Sequence, residues 1–82
     1  MKIYLAEVHV NEYKNGKSES LNYNLYASAN KYRLIERCRE YLKISRYEII
    51  DERDDEYTHV IHSKNKDLKF IHIWIEEIET LE

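Results

Sequence analysis

Two alternating segments flank the pair Asn15-Gly16, and this arrangement constrains the fold more than any other feature of the chain. Asn-Gly is the strongest short signal for a two-residue type I′ hairpin turn, because both positions need a positive φ. Residues 2–13 and 18–27 alternate apolar and polar side chains, as expected for strands with one buried face. The turn predicts six facing pairs: Val10 with Leu21, Val8 with Tyr23, Ala6 with Leu25, Asn11 with Ser20, His9 with Asn22, and Glu7 with Asn24.

A helix is predicted after the hairpin from the spacing of its apolar residues. Ser28 is a suitable N-cap, because its side-chain oxygen can accept a hydrogen bond from the first helical turn. The helix is expected to end near Ile44. One apolar stripe recurs at helical spacing: Leu34, Ile35, Cys38, Tyr41 and Leu42. Because Cys38 lies inside this stripe, we predict a small core residue rather than a nucleophile.

Three further strands are predicted after the helix, over residues 46–51, 56–63 and 67–78, with a polar turn at 52–55 and another at 64–66. Short connections favour antiparallel pairing, and one helix can cover only one face of a sheet. We therefore predict an α+β fold in a single domain, 1–82. It is an antiparallel β-sheet of four to five strands with one α-helix packed on one face, in the order ββαβββ.

The last predicted strand, DLKFIHIWIEE, carries apolar residues on both faces. A two-residue turn at 65–66 predicts three facing pairs: Ile61 with Phe70, His59 with His72, and Tyr57 with Trp74. Four residues would then lie under the helix: Val60, Ile71, Ile73 and Ile75. Four would remain on the uncovered side: Ile61, Phe70, Tyr57 and Trp74. Tyr26 is expected on the same uncovered side, beside Leu5.

The uncovered aromatic residues predict a contact with another protein, because exposed apolar patches and clustered aromatic side chains are typical of binding surfaces. The acidic turn at 51–56 is expected to assist by meeting a basic partner. The predicted partner-binding residues are Trp74, Phe70, Tyr57, His72, Tyr26, Asp54, Asp55 and Glu56. The partner would be a foreign protein or a second copy, paired through the last hairpin. The alternative is scattered aromatic exposure beside a solvated acidic turn.

The facing pair His59 and His72 has metal-ligand character, because opposed imidazoles on neighbouring strands can share a zinc or copper ion. Two ligands do not complete a site, and His62 would lie on the other side of the strand from His59. A structural or surface role is therefore predicted for these histidines, with no metal and no cofactor.

Composition argues against several classes of function. Gly16 is the only glycine, which excludes glycine-rich phosphate loops and nucleophile elbows, and no acid–base pair stands out, so we predict that the chain is not an enzyme. Cys38 is the only cysteine, so no intramolecular disulfide can form. No apolar run approaches the roughly 20 residues of a membrane span, and the first residues do not resemble a signal peptide. A cytoplasmic location is predicted.

Charge argues against nucleic acid as the main partner. The formal net charge is -3, with the basic excess in residues 1–45 and the acidic excess in residues 46–82. The alternative function is nevertheless a small nucleic-acid-binding or regulatory protein that uses three basic residues of the helix: Lys31, Arg33 and Arg37. Glu36 and Glu40 interrupt that row.

The chain is short, contains eight tyrosines and has no catalytic motif. In these respects it resembles small accessory proteins of phages and archaeal viruses, including anti-CRISPR and other anti-defence inhibitors. The resemblance rests on size and composition and covers no motif. It implies an inhibitor that occludes a host defence protein or a nucleic-acid enzyme. The predicted function is thus a small non-enzymatic protein-binding protein that acts through the aromatic face of its sheet.

Overall fold

The computed structural model describes residues 2–67 and 69–79. Within these residues six elements follow one another: β1 (Lys2–Lys14), β2 (Lys17–Ser28), α1 (Lys31–Ile44), β3 (Glu48–Asp54), β4 (Thr58–Lys64) and β5 (Phe70–Glu79). The strands form one antiparallel sheet in the order β2-β1-β5-β4-β3. The predicted α+β fold, with five strands and one helix in the order ββαβββ, is confirmed. The helix carries the chain from one edge of the sheet to the other.

The first hairpin turns where the sequence predicts. Asn15 and Gly16 have φ values of 53° and 77°, as a type I′ turn requires. Five of the six predicted pairs are present, but a β-bulge between Ala6 and Glu7 places Ala6 opposite Tyr26 instead of Leu25. One extra residue reverses the faces of the side chains that follow it. The predicted outward position of Tyr26 is therefore wrong.

Tyr26 instead lies on the helix side of the sheet. Its ring packs edge-on against Tyr41, with 6.4 Å between the ring centroids, and the Arg37 guanidinium lies 4.1 Å from its centroid. Tyr26 also packs against the hydrophobic core. It is therefore a part-buried residue of the helix–sheet interface.

The helix packs its apolar stripe onto the sheet, as predicted. The fully or nearly buried hydrophobic residues from both layers are Leu34, Ile35, Cys38 and Leu42 from α1, with Ala6, Val8, Ile61, Ile71, Ile73 and Ile75 from the sheet. Burial raises the pKa of the Cys38 thiol to about 11, as expected of a core cysteine. The predicted N-cap Ser28 is wrong: Asn30 caps the helix, and its Oδ1 accepts a hydrogen bond from the Arg33 N–H at 3.2 Å.

The second half of the sheet differs from the prediction in register. β3 continues to Asp54, so most of the predicted polar turn belongs to a strand. The β4–β5 connection spans residues 65–69 instead of 65–66, and Lys64 pairs with Phe70. The Asn65 side chain holds this longer loop, because its Oδ1 accepts hydrogen bonds from the backbone N–H groups of Asp67 and Lys69, both at 2.9 Å. Leu68, within the predicted last strand, lies outside the described residues.

The longer loop moves the β4–β5 register by three residues from the predicted one, and an odd shift exchanges the two faces of β4. His62, not His59, lies opposite His72. Ile61 and His59 are buried on the helix side, and Val60 lies on the uncovered side, so these three predicted positions are wrong. The predicted row Ile71, Ile73 and Ile75 is correctly placed in the core.

Candidate functional site: the open face of the sheet

The described helix lies on one face of the sheet, and we call the opposite face the open face. Trp74 and Phe70 lie on it and remain 41% and 38% exposed. Both belong to β5, the central strand, which is hydrogen-bonded to a neighbour on each side. A large aromatic side chain in the middle of a sheet is usually covered by a second layer. Its exposure therefore marks this face as the candidate site.

A row of three histidines crosses the centre of the open face. His72 of β5 lies directly opposite His9 of β1 on one side and His62 of β4 on the other. Side chains at directly opposed positions project from the same face and are close neighbours. Asn22 and Asp51, on the two edge strands, continue this row to the borders of the sheet.

The rings of His62 and His72 are in direct contact. Their Nδ1 atoms face each other within hydrogen-bonding distance, and the rings are nearly perpendicular, with 4.4 Å between their centroids. One nitrogen donates its hydrogen and the other accepts it. Burial lowers the pKa of His72, and the adjacent His62 and His9 lower it further, since each like charge disfavours another proton. The His72 ring therefore favours its neutral form.

The third histidine connects this pair to the aromatic residues. The Nε2 atom of His9 lies 3.4 Å from a carboxylate oxygen of Glu7, and its ring packs against that of Trp74 with 6.1 Å between the centroids. Trp74 lies opposite both Glu7 and Val60. The centre of the open face is thus a mixed aromatic and imidazole surface, bordered by charged residues.

The structure divides the predicted partner-binding residues into separate groups. Trp74, Phe70 and His72 lie together on the open face, as predicted. Tyr57 is 63% exposed but precedes β4, outside the predicted pairing with Trp74. Tyr26 lies on the opposite side of the sheet. Asp55 and Glu56 are exposed in the β3–β4 turn.

Asp54 belongs to a network on the helix side. Its Oδ1 lies 2.9 Å from the His59 Nδ1 and 3.1 Å from the Lys31 Nζ. Glu52 accepts two hydrogen bonds from Arg39, at 2.9 and 2.6 Å, and one of its oxygens lies 3.3 Å from the His59 Nε2. That nitrogen is buried without an aligned hydrogen-bond partner among the described residues. These contacts join the helix to the β3–β4 edge.

The contacts of this network favour the charged, carboxylate forms of Glu52 and Asp54. Hydrogen bonds from Arg39, and secondarily the nearby His59 ring, hold the pKa of Glu52 below its ordinary value. Hydrogen bonds from His59, and then from Lys31, do the same for the pKa of Asp54. The carboxylates are therefore committed to internal partners, and Asp54 does not share a surface with Trp74.

The same contacts occupy much of the basic helix. Lys31 pairs with Asp54, Arg39 pairs with Glu52, and Arg37 lies over the ring of Tyr26. Arg33 is exposed on the outer surface. Two of the three residues predicted to meet nucleic acid are thus engaged within the chain.

Sequence reasoning missed the roles of His9 and His62. The β1–β2 turn correctly indicated that His9 faces Asn22, but no local signal indicated that β1 pairs with β5. His62 was assigned to the wrong side because the β4–β5 loop was taken to be two residues long. The signal that could have found it is Asn65, a residue type whose side chain often caps turns.

No family model, curated protein or solved structure matches the chain. Across residues 2–67 and 69–79, no helix has the length and apolar character to cross a membrane. Over the same residues, no three His, Cys, Asp or Glu side chains are arranged to hold a metal ion together. The function is therefore argued from the geometry of the open face.

Proposed function

We propose that the chain is a non-enzymatic protein-binding protein that occludes its partner with the open face. The observation that carries the proposal is the exposure of Trp74 and Phe70 on the central strand, with no covering layer among the described residues. Aromatic side chains of this kind dominate binding energy when a partner desolvates them. The neighbouring histidines add hydrogen-bonding groups to the same surface.

The charges beside Trp74 favour a protein over a nucleic acid. Glu7 lies directly opposite Trp74, and Glu76 follows two residues later on the same side of β5. Carboxylates at these positions repel phosphates, whereas Arg and Lys side chains of a protein partner can pair with them. The nucleic-acid alternative keeps Lys31, Arg33 and Arg37 as its candidates, but the contacts of Lys31 and Arg37 within the chain weaken it.

A second copy of the chain is the competing occupant. The last hairpin cannot pair strand to strand with another copy, because β4 and β5 are already hydrogen-bonded on both sides. Two copies could instead stack through their open faces, because this contact needs no free strand edge. The test must therefore distinguish a second copy from a foreign partner.

The biological setting follows from the resemblance in size and composition. We propose an inhibitor of the phage or viral type, anti-CRISPR-like in its mode of action, that blocks a host defence protein or nucleic-acid enzyme in the host cytoplasm. A single buried cysteine is compatible with a reducing compartment.

The test compares Trp74→Ser and Phe70→Ser with Tyr32→Ser as the matched control. Tyr32 is also an exposed aromatic residue, but it lies on the helix. The immobilised chain is used to capture proteins from host lysate, and sedimentation velocity at micromolar concentration measures self-association. We expect a specific captured protein that the two open-face variants lose and Tyr32→Ser retains. Equal capture by all variants would contradict the proposed surface, and a wild-type dimer abolished by Trp74→Ser would assign the face to a second copy.

A further inference from the structure

We infer that His62 and His72 form a two-imidazole chelate for a divalent late transition-metal ion, with Cu²⁺ bound most tightly among Cu²⁺, Ni²⁺ and Zn²⁺. The inference goes beyond the proposed function and does not depend on it. It rests on the direct opposition of the two residues in neighbouring central strands and on the convergence of their Nδ1 atoms.

The geometry of the pair is close to that of two ligands on one ion. Imidazole nitrogens bind zinc at about 2.1 Å, so two adjacent ligand nitrogens lie roughly 3 Å apart. The two Nδ1 atoms face each other at a shorter separation than this, so the rings would have to move slightly apart to hold an ion between them. Both side chains are part-exposed on the open face, so small ring rotations can admit an ion and its water ligands.

The chemistry of the pair allows a metal ion to replace the hydrogen bond between the two rings. A single hydrogen occupies the space between the two nitrogens, and the accepting nitrogen directs a lone pair toward the same point. A bound ion would take the place of that hydrogen, and the donating ring would carry its one hydrogen on Nε2 instead, so both neutral rings would offer an Nδ1 lone pair and no net proton would be released.

The ligand type selects the class of ion. Imidazoles suit copper, nickel and zinc, with copper highest in the affinity order, whereas Mg²⁺ and Ca²⁺ prefer oxygen ligands. Asp51, opposite His62, adds negative charge at the end of the row. His9 is not part of the chelate, because its Nε2 is directed toward Glu7. Water would complete the coordination of the ion, consistent with the lack of a three-ligand cluster among the described residues.

Trp74 supplies the readout, because it is the only tryptophan and lies two residues from His72 on the same face. Cu²⁺ is titrated into the wild-type chain while Trp74 emission is recorded, with Mg²⁺ as the negative control. We expect quenching that saturates at one equivalent of Cu²⁺ and no change with millimolar Mg²⁺. Absence of saturable quenching would overturn the inference.

Variants identify the ligands. We expect Cu²⁺ affinity at least tenfold weaker in His62→Asn and in His72→Asn, and affinity within about threefold of wild type in His9→Asn, the matched control from the same row. Unchanged affinity in the first two variants, or an equal loss in all three, would overturn the two-histidine assignment. If a variant fails to fold, imidazole ¹⁵N spectra of the wild-type chain with Zn²⁺ identify the ligands instead. The inference requires that the signals of His62 and His72 shift and that those of His9 and His59 do not.

Discussion

His59 Nδ1 lies 2.9 Å from Oδ1 of Asp54, on the helix side of the sheet, and Lys31 binds the same oxygen from the first turn of the helix. Glu52 and Arg39 extend the arrangement, so that acids and bases alternate from the helix to β3 and β4. Each acid of this network has a depressed pKa in the folded state. The network therefore makes stability depend on pH.

We predict that the chain loses stability as the pH falls below about 4.5. A carboxyl group whose pKa is lowered on folding stabilises the folded state fully at any pH above its unfolded pKa, which is 4.5 for Glu52 and 3.8 for Asp54. This stabilisation disappears as the pH falls through the lower pKa of the folded state. At pH 7, Glu52→Gln should lower the free energy of unfolding by about 1 kcal/mol. Urea denaturation at pH 7 and pH 3 measures both effects. A Glu52→Gln penalty that stays the same at pH 3 would contradict the linkage.

We predict that Ile73→Ala lowers the free energy of unfolding more than Trp74→Ala does, although isoleucine is the smaller residue. The two are neighbours in β5, but Ile73 is fully buried and Trp74 is 41% exposed. Loss of the buried side chain should lower the free energy of unfolding by about 2–5 kcal/mol, and loss of the exposed ring by less than about 2 kcal/mol. Chemical denaturation of both variants gives the comparison. The reverse order would show that the two faces of β5 are assigned incorrectly.

We predict that Asn65→Ala weakens the hairpin between β4 and β5. The variant leaves two backbone N–H groups, those of Asp67 and Lys69, without the oxygen that accepts their hydrogen bonds. The free energy of unfolding should fall by about 1–2 kcal/mol, as for loss of a helix cap. Asn65→Asp is the control, because it keeps an acceptor oxygen and should retain most of the stability. Equal losses in the two variants would show that this oxygen does not hold the loop.

We predict that Arg46→Gly stabilises the protein. Arg46 follows the helix with a φ of 63°, and the hydrogen bonds from Arg46 N to Lys43 O and from Tyr47 N to Leu42 O form a Schellman motif. Glycine adopts positive φ without the steric cost of a side chain, so the free energy of unfolding should rise by about 1 kcal/mol. Ser45→Gly is the control, because Ser45 has a negative φ of −81° and should gain nothing. Thermal unfolding of both variants measures the difference.

The parts of the fold that sequence reasoning placed correctly are determined by local chemistry. Asn15-Gly16 sets both the turn and the register of the first hairpin, and the stripe from Leu34 to Leu42 needs only helical spacing. The bulge at Ala6 was missed because no residue type there demands one. The β4–β5 register was missed because Asn65 caps its loop through a side chain, which a count of turn residues does not detect.

The candidate site was only partly predictable for a different reason. Phe70, His72 and Trp74 share a face by alternation along one strand, so the sequence was enough to group them. The row of His9, His72 and His62 requires two strand pairings, and one of these joins residues more than 60 positions apart. Such a pairing depends on how the whole sheet assembles, and a single sequence carries no local signal for it.

The central position of β5 has a consequence for how the chain is made. In the described part of the chain, β1 and β4 are hydrogen-bonded to β5 and not to each other, and β5 is synthesised after both. Until residues 70–79 emerge from the ribosome, the two halves of the sheet present unpaired inner edges and uncovered core residues such as Val8 and Ile61. A delay between the emergence of β4 and the emergence of this strand would therefore leave an aggregation-prone intermediate.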